Sequence, residues 1–160
     1  MPGLNGMLER FYREHRQQLF TCALAVTRCA DRAEDAVQEA FCRLLRLERA
    51  PRHLKAYVFR AVRNAALDQV RGGGRPALEA DESIFAPGSG PRDQAAGHEL
   101  QRRVAEALAA LSDDERETVV QRLYGDLTFR EIAEIRQTPL GTVAAWYHRG
   151  LQKLRARLEE

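Results

Sequence analysis

Three cysteines are spread through 160 residues, and no two of them stand at C-x-x-C spacing. Cys22, Cys29 and Cys42 lack the close pairs of a zinc site, and their odd number argues against a disulfide framework, so packed thiols are the plainer reading. The four histidines, His15, His53, His98 and His148, are scattered with no carboxylate or cysteine at ligand spacing. No catalytic constellation, metal or cofactor is therefore expected. Gly72, Gly73 and Gly74 form the densest glycine run, but it follows a helical pattern rather than a strand and lacks the Lys-Ser/Thr of a phosphate-binding loop. No internal repeat, long apolar run or signal peptide is present, and Met1 to Gly6 is a short polar start, which leads to the expectation of a cytoplasmic protein without a membrane segment.

What the chain does contain is helical periodicity in two blocks. Ala36, Val37, Ala40, Phe41, Leu44 and Leu45 form one stripe after an Asp31 cap, leaving Glu34, Asp35, Gln38 and Glu39 towards solvent. On the next helix Leu54, Tyr57, Val58, Ala61 and Val62 form the expected buried side, with Arg60, Arg63, Asn64 and Arg71 on or near the opposite one. Arginines neutralise phosphates and an asparagine amide can both donate and accept at a base edge, so this face suits single-stranded DNA.

The second block is a compact helix-turn-helix. Ser112 with Glu115, and Thr128 with Glu131, fit the S/T-x-x-E capping box and predict helix starts near 112 and 128. Thr138-Pro139 predicts a third, with threonine as N-cap and proline at the first helical position. Val143, Tyr147, Leu151, Leu154 and Leu158 then recur as one inward stripe, which turns Thr142, Ala145, Trp146 and Arg149 outward, where a recognition helix meets the major groove.

The blocks flank a stretch from Gly72 rich in glycine and proline, a predicted flexible tether. The expected fold is all-α, with two small helical domains over 1–71 and 99–160 and a linker over 72–98. A net charge of +2 hides an asymmetry: residues 1–71 carry 13 Lys/Arg against 8 Asp/Glu, and residues 99–160 carry 10 against 11. Phosphate neutralisation supplies most sequence-independent DNA affinity, so the first block is better provided for it.

In order and spacing, Arg116-Glu117, Leu127-Thr128-Phe129-Arg130-Glu131-Ile132-Ala133-Glu134-Ile135, Pro139-x-Gly141-Thr142-Val143 and His148-Arg149-Gly150-Leu151-x-x-Leu154-Arg155 resemble the C-terminal promoter-binding domain of bacterial sigma factors, particularly the extracytoplasmic-function group. Asp31 to Phe41 resembles that family's polymerase-binding helix, and His53 to Arg71 the helix that reads the minus-ten element. The resemblance covers roughly residues 8–71 and 100–158. It implies a non-enzymatic transcription initiation factor whose partners are core RNA polymerase and promoter DNA, with an anti-sigma factor as a further candidate. Asp35, Gln38 and Glu39 are then expected to contact polymerase, and Arg60, Arg63, Asn64 and Arg71 the minus-ten strand. Arg130, Thr142, Ala145, Trp146 and Arg149 are expected at the minus-thirty-five element.

Two departures from the family pattern stand out. Tyr57 replaces a common tryptophan and reads as a core substitution. Ala144-Ala145-Trp146 replaces a basic, a small polar and an arginine residue, so bidentate guanine readout is lost there. Trp146 is open to three readings: helix packing, an anchor for a protein partner, or apolar contact with DNA. A second function therefore stands beside promoter recognition, that of a sigma-like adaptor whose C-terminal domain binds a protein.

Overall fold

The computed structural model describes residues 3–72 and 95–159, and side chains from residue 98 onward in the second block. Most of the tether expected over 72–98 lies outside the described residues. Seven helices and no strand are found among the described residues: α1 (Leu4–Thr27), α2 (Ala30–Leu44), α3 (Leu54–Arg71), α4 (Ala95–Ala109), α5 (Asp113–Leu123), α6 (Phe129–Arg136) and α7 (Leu140–Leu158). The all-α expectation holds, and α4 begins within the last residues of the span read as linker.

Helices α1, α2 and α3 pack mutually, while α5, α6 and α7 form the second cluster, with α4 laid against α7. The first core draws on Leu8, Phe11 and Leu19 of α1, Ala36, Val37 and Ala40 of α2, and Val58, Phe59 and Val62 of α3. Two stripe residues depart from expectation: Leu45 is 49% exposed and Tyr57 42%. Leu45 is already the C-cap of α2, so its side chain falls beyond the packed turn. Tyr57 sits one residue before the buried Val58 and Phe59, a rotation of about 100° that carries it off their face.

Both predicted capping boxes are formed. The Ser112 hydroxyl accepts from the Glu115 N–H at 3.2 Å and the Glu115 carboxylate from the Ser112 N–H at 3.2 Å. Thr128 and Glu131 do the same at 3.1 and 2.9 Å. The other two expected caps are corrected. Pro139 itself is the N-cap of α7, with no side-chain cap hydrogen bond, while the Thr138 hydroxyl donates back to the Arg136 carbonyl at 3.0 Å. Cys29 is the N-cap of α2, and Asp31 lies within the first turn, where its charge still suits the helix dipole.

The two clusters are not separate. α1 packs on α5, and α3 packs on α6. Close approach is built into glycine positions: a Cβ on Gly125, in the turn after α5, would stand 2.9 Å from Cys22 Sγ of α1 and 2.6 Å from the Gln121 carbonyl oxygen. Within the second cluster a Cβ on Gly150 would lie 2.7 Å from the Val119 side chain, so α7 crosses α5 at backbone distance. Wedged between α1 and α7, α5 buries every residue from Glu115 to Gln121, polar ones included. Burial without hydrogen bonds would be costly for such groups, and their partners therefore fix how the helix sits.

Candidate nucleic-acid and polymerase interfaces

The exposed side of α3 forms one wall of a crevice of about 350 Å³, lined by Arg43, Leu44, Leu47, Tyr57, Arg60, Ala61 and Asn64. Tyr57, Arg60 and Asn64 follow at spacings of three and four and so share a helix face. The crevice combines an aromatic ring, two guanidinium groups and an amide over an apolar floor. Those are the parts needed to stack a base, hold a backbone and test a base edge. Arg60 and Asn64 are thus brought together, while Arg71 is exposed at the C-terminal end of α3. The periodicity that grouped Arg60 with Asn64 also pointed to Tyr57, but hydrophobicity assigned it to the core. Arg43 and Leu47 come from α2 and the following loop, and no local pattern marks them.

Arg63 points elsewhere. Its guanidinium donates to the Glu117 carboxylate of α5 at 2.5 and 3.3 Å, and its side chain is only 21% exposed. Glu117 also stands 3.4 Å from Arg136 of α6. Burial lowers the Arg136 pKa, with Glu117 opposing that shift and Arg63 adding to it.

On α2, Asp35 and Gln38 are exposed, and Glu39 is half-buried with an ion pair to Arg43 at 2.6 Å. Gln38 and Glu34 border a groove of about 290 Å³ completed by Tyr12, Arg16, Gln17 and Phe20 of α1, and Val37. The acidic residues face solvent on one rigid helix, as a docking surface for a basic partner requires.

In the helix-turn-helix, Arg130 is exposed on α6 and Arg149 on α7, whereas Thr142, Ala145 and Trp146 are half-buried. The expectation that Trp146 faces outward is corrected: the Arg136 guanidinium lies over its ring, 4.4 Å from the centroid, and the ring packs against the core. A buried cation with a partly apolar body is best accommodated by an aromatic face, which draws the indole inward. Arg136 is otherwise held by the Asp114 carboxylate at 2.6 Å and the Thr118 hydroxyl at 2.5 Å.

Arg149 stands 3.6 Å from Glu115, which also accepts from Lys153 at 2.7 and 3.1 Å. Burial would raise the Glu115 pKa, but hydrogen bonds from Lys153 and Ser112 outweigh it and hold the carboxyl below its ordinary value. Lys153 escaped the sequence reading because it lies about one turn past Arg149, beyond the recognition segment. The exposed cations left for a phosphate backbone here are thus partly occupied within the domain.

Among the described residues no group of three or more His, Cys, Asp or Glu could hold a metal ion. None of the described helices is long and apolar enough to cross a membrane.

The family model for Sigma-70 region 2 matches residues 11–75, and that for Sigma-70, region 4 matches residues 101–154. The chain is 29% identical over 142 residues to the ECF RNA polymerase sigma factor SigW of Bacillus subtilis, covering 80% of this chain and 76% of that protein. It is 28% identical over 163 residues to the ECF RNA polymerase sigma factor SigL of Mycobacterium tuberculosis, covering 97% and 90%. In fold it matches the sigma factor RpoE of Bartonella quintana, solved with the anti-sigma factor NepR, with a TM-score of 0.73 and 22% identity over 95% of this chain and 96% of that one.

Proposed function

Because the chain belongs to the sigma-70 family, in its extracytoplasmic-function group, and directs promoter-specific transcription initiation by core RNA polymerase, we propose how its residues divide that work. The observation that carries the division is the crevice in which Tyr57, Arg60 and Asn64 of α3 meet Arg43 of α2. Residues 1–71 act as the polymerase-binding and minus-ten unit, residues 99–160 as the minus-thirty-five unit, and the chain between as the connection. Asp35, Gln38 and Glu39 dock on a basic surface of core polymerase. Asn64 reads a base of the melted strand, while Arg60 and Arg71 neutralise its phosphates, and the aromatic ring of Tyr57 offers a stacking surface; Arg63, engaged by Glu117, stands apart from them.

Upstream, Arg130 and Arg149 carry phosphate contacts, with Thr142 and Ala145 nearest the groove. Trp146 acts from behind this face by fixing Arg136. Its half-burial removes the free-standing aromatic anchor on which an adaptor role depended, so promoter recognition is the better reading. The protein works in the cytoplasm alongside polymerase, performs no catalysis of its own, and takes an anti-sigma factor as a regulatory partner, as the Bartonella relative does.

The test is run-off transcription with purified core polymerase and a library of promoter fragments. Wild type should select a defined promoter class, and Asp35→Arg with Glu39→Arg should abolish transcripts while the helical circular-dichroism spectrum is retained. Charge reversal on a solvated helix changes stability little but sets like charges against a basic partner. Undiminished transcription by the double variant would remove the acidic helix from the polymerase interface.

A further inference from the structure

A recognition helix reads base edges with the residues of its N-terminal turns. In α7 those turns, Leu140 to Tyr147, contain no charged side chain. Of the polar side chains there, Trp146 lies under the Arg136 guanidinium at 4.4 Å, and Tyr147 packs edge-on to Phe129 of α6 with ring centroids 5.1 Å apart. The Thr142 hydroxyl is what remains to donate or accept. Opposite the buried Val143, Gly150 and Leu154 stand Gly141, Ala145, His148 and Arg149. Leu140, which opens the helix, is 45% exposed. The groups able to read a guanine come a turn later and are engaged: Arg149 stands 3.6 Å from the buried Glu115, and the His148 ring lies edge-on to Phe129 and Tyr147.

Each base pair shows the major groove a different set of groups. Thymine presents a methyl, whereas guanine presents the N7 and O6 acceptors and cytosine an N4 donor. A patch made of Leu140, Ala145 and the Thr142 methyl gains contact over a thymine methyl. Over a G·C pair it would cover polar atoms without giving them partners, and a desolvated, unpaired polar group is costly. Discrimination then comes from both sides, attraction to one pair and exclusion of the other. Resting on the reading of residues 99–160 as the minus-thirty-five unit, we infer that this unit selects an A·T-rich element through thymine methyls and does not read guanine. Leu140, Thr142 and Ala145 are its specificity-determining residues. Arg130 and Arg149 hold phosphates and add affinity common to all sequences. Trp146, stacked on Arg136, takes no part in the readout.

Holoenzyme reconstituted from core polymerase and the full chain is used to select transcribed promoters from a library with a fixed minus-ten region and a randomised upstream region. The selected upstream element is then rebuilt with single replacements and compared by competition binding. Deoxyuridine for thymidine keeps the base pair and removes the methyl; 7-deazaguanine for guanine removes the N7 acceptor. The selected element should be rich in A·T pairs. Deoxyuridine should weaken binding about fourfold at one or two positions, the worth of about one buried methyl, and 7-deazaguanine should change it by less than about twofold. Leu140→Ala and Ala145→Gly should each remove the deoxyuridine penalty at one position and leave the salt dependence as it is, since neither residue neutralises a phosphate. Glycine inside a helix costs stability, so where Ala145→Gly does not fold, Leu140→Ala at its exposed site carries the comparison.

If no upstream sequence is enriched and randomising that region leaves transcription unchanged, residues 99–160 are not the minus-thirty-five unit and methyl readout falls with that reading. If an element is enriched but deoxyuridine is silent at every position, the unit stands and methyl readout is overturned. A loss of about fivefold or more on 7-deazaguanine, as a bidentate guanine contact requires, overturns it as well. A deoxyuridine penalty that persists unchanged in the variants takes the readout away from Leu140 and Ala145 and overturns their role.

Discussion

Trp146→Arg restores the residue type that sigma factors usually carry in this position, and the structure predicts that it harms this protein. In the folded chain the indole lies under Arg136 at 4.4 Å. Loss of a cation–π contact costs about 0.5–2 kcal/mol, the upper part of the range applying to a desolvated cation such as this one. The new guanidinium then faces Arg136. Two unit charges about 4 Å apart in an effective dielectric of about 20 repel by about 4 kcal/mol. Position 146 is half-buried, so the arginine can swing towards solvent and relieve about half of that repulsion, leaving a net loss of about 2–4 kcal/mol. For a chain of this size that corresponds to a fall in Tm of roughly 5–15 °C.

The assay is a double-mutant cycle with Arg136→Leu, which removes the buried cation and leaves room for the arginine stem. Urea unfolding should be followed by circular dichroism, because Trp146 is the only tryptophan and its fluorescence vanishes in the variant. The coupling between the two sites should exceed about 1 kcal/mol, with the double variant less destabilised than the sum of the singles. Additive effects, or a Trp146→Arg protein as stable as wild type, would refute the stacking argument and return the indole to the outward face. A gain in upstream-duplex affinity at unchanged stability would show that a groove-facing cation outweighs the lost stack.

Three further outcomes follow from the first unit and the caps. Asn64→Ala should flatten discrimination among bases at one position of the non-template strand by about 1–3 kcal/mol, read by competition with single-base variants, whereas a uniform loss would make Asn64 a backbone contact. Tyr57→Ala should weaken single-stranded DNA binding across sequences by about 1–3 kcal/mol with little change in thermal stability, since the ring is 42% exposed; a large Tm loss with intact DNA affinity would return it to the core. Glu115 and Glu131 have folded pKa values held below 4.5, so the unfolded chain takes up their protons first as pH falls. Their stabilisation is present above about pH 4.5 and is lost on acidification through the lower folded values, so the urea midpoint should fall below that pH and Glu115→Gln should flatten the slope; an identical slope in the variant would exclude Glu115.

Local pattern was enough to place the elements and to recognise the family. Helix starts at Ser112 and Thr128 are legible because a capping box is a local hydrogen-bond exchange over four residues, and the stripes on α2 and α7 are legible because a 3.6-residue period needs no knowledge of the partner surface. Local patterns also grouped Arg60 with Asn64 and set Asp35 and Gln38 outward. Which side of each element meets which neighbour is settled by packing. Tyr57 is apolar enough for a core yet lies beside Arg43, a residue of another helix. Trp146 turned inward because Arg136, ten positions earlier, was already buried by Asp114 and Thr118 of α5. Arg63 faces Glu117 across 54 positions, and no periodicity within either helix encodes that meeting. Periodicity reports the direction of a side chain from its own axis; the charge or ring it finds there depends on the packing of chains distant in sequence, where burial makes unpaired polar groups too costly to leave alone.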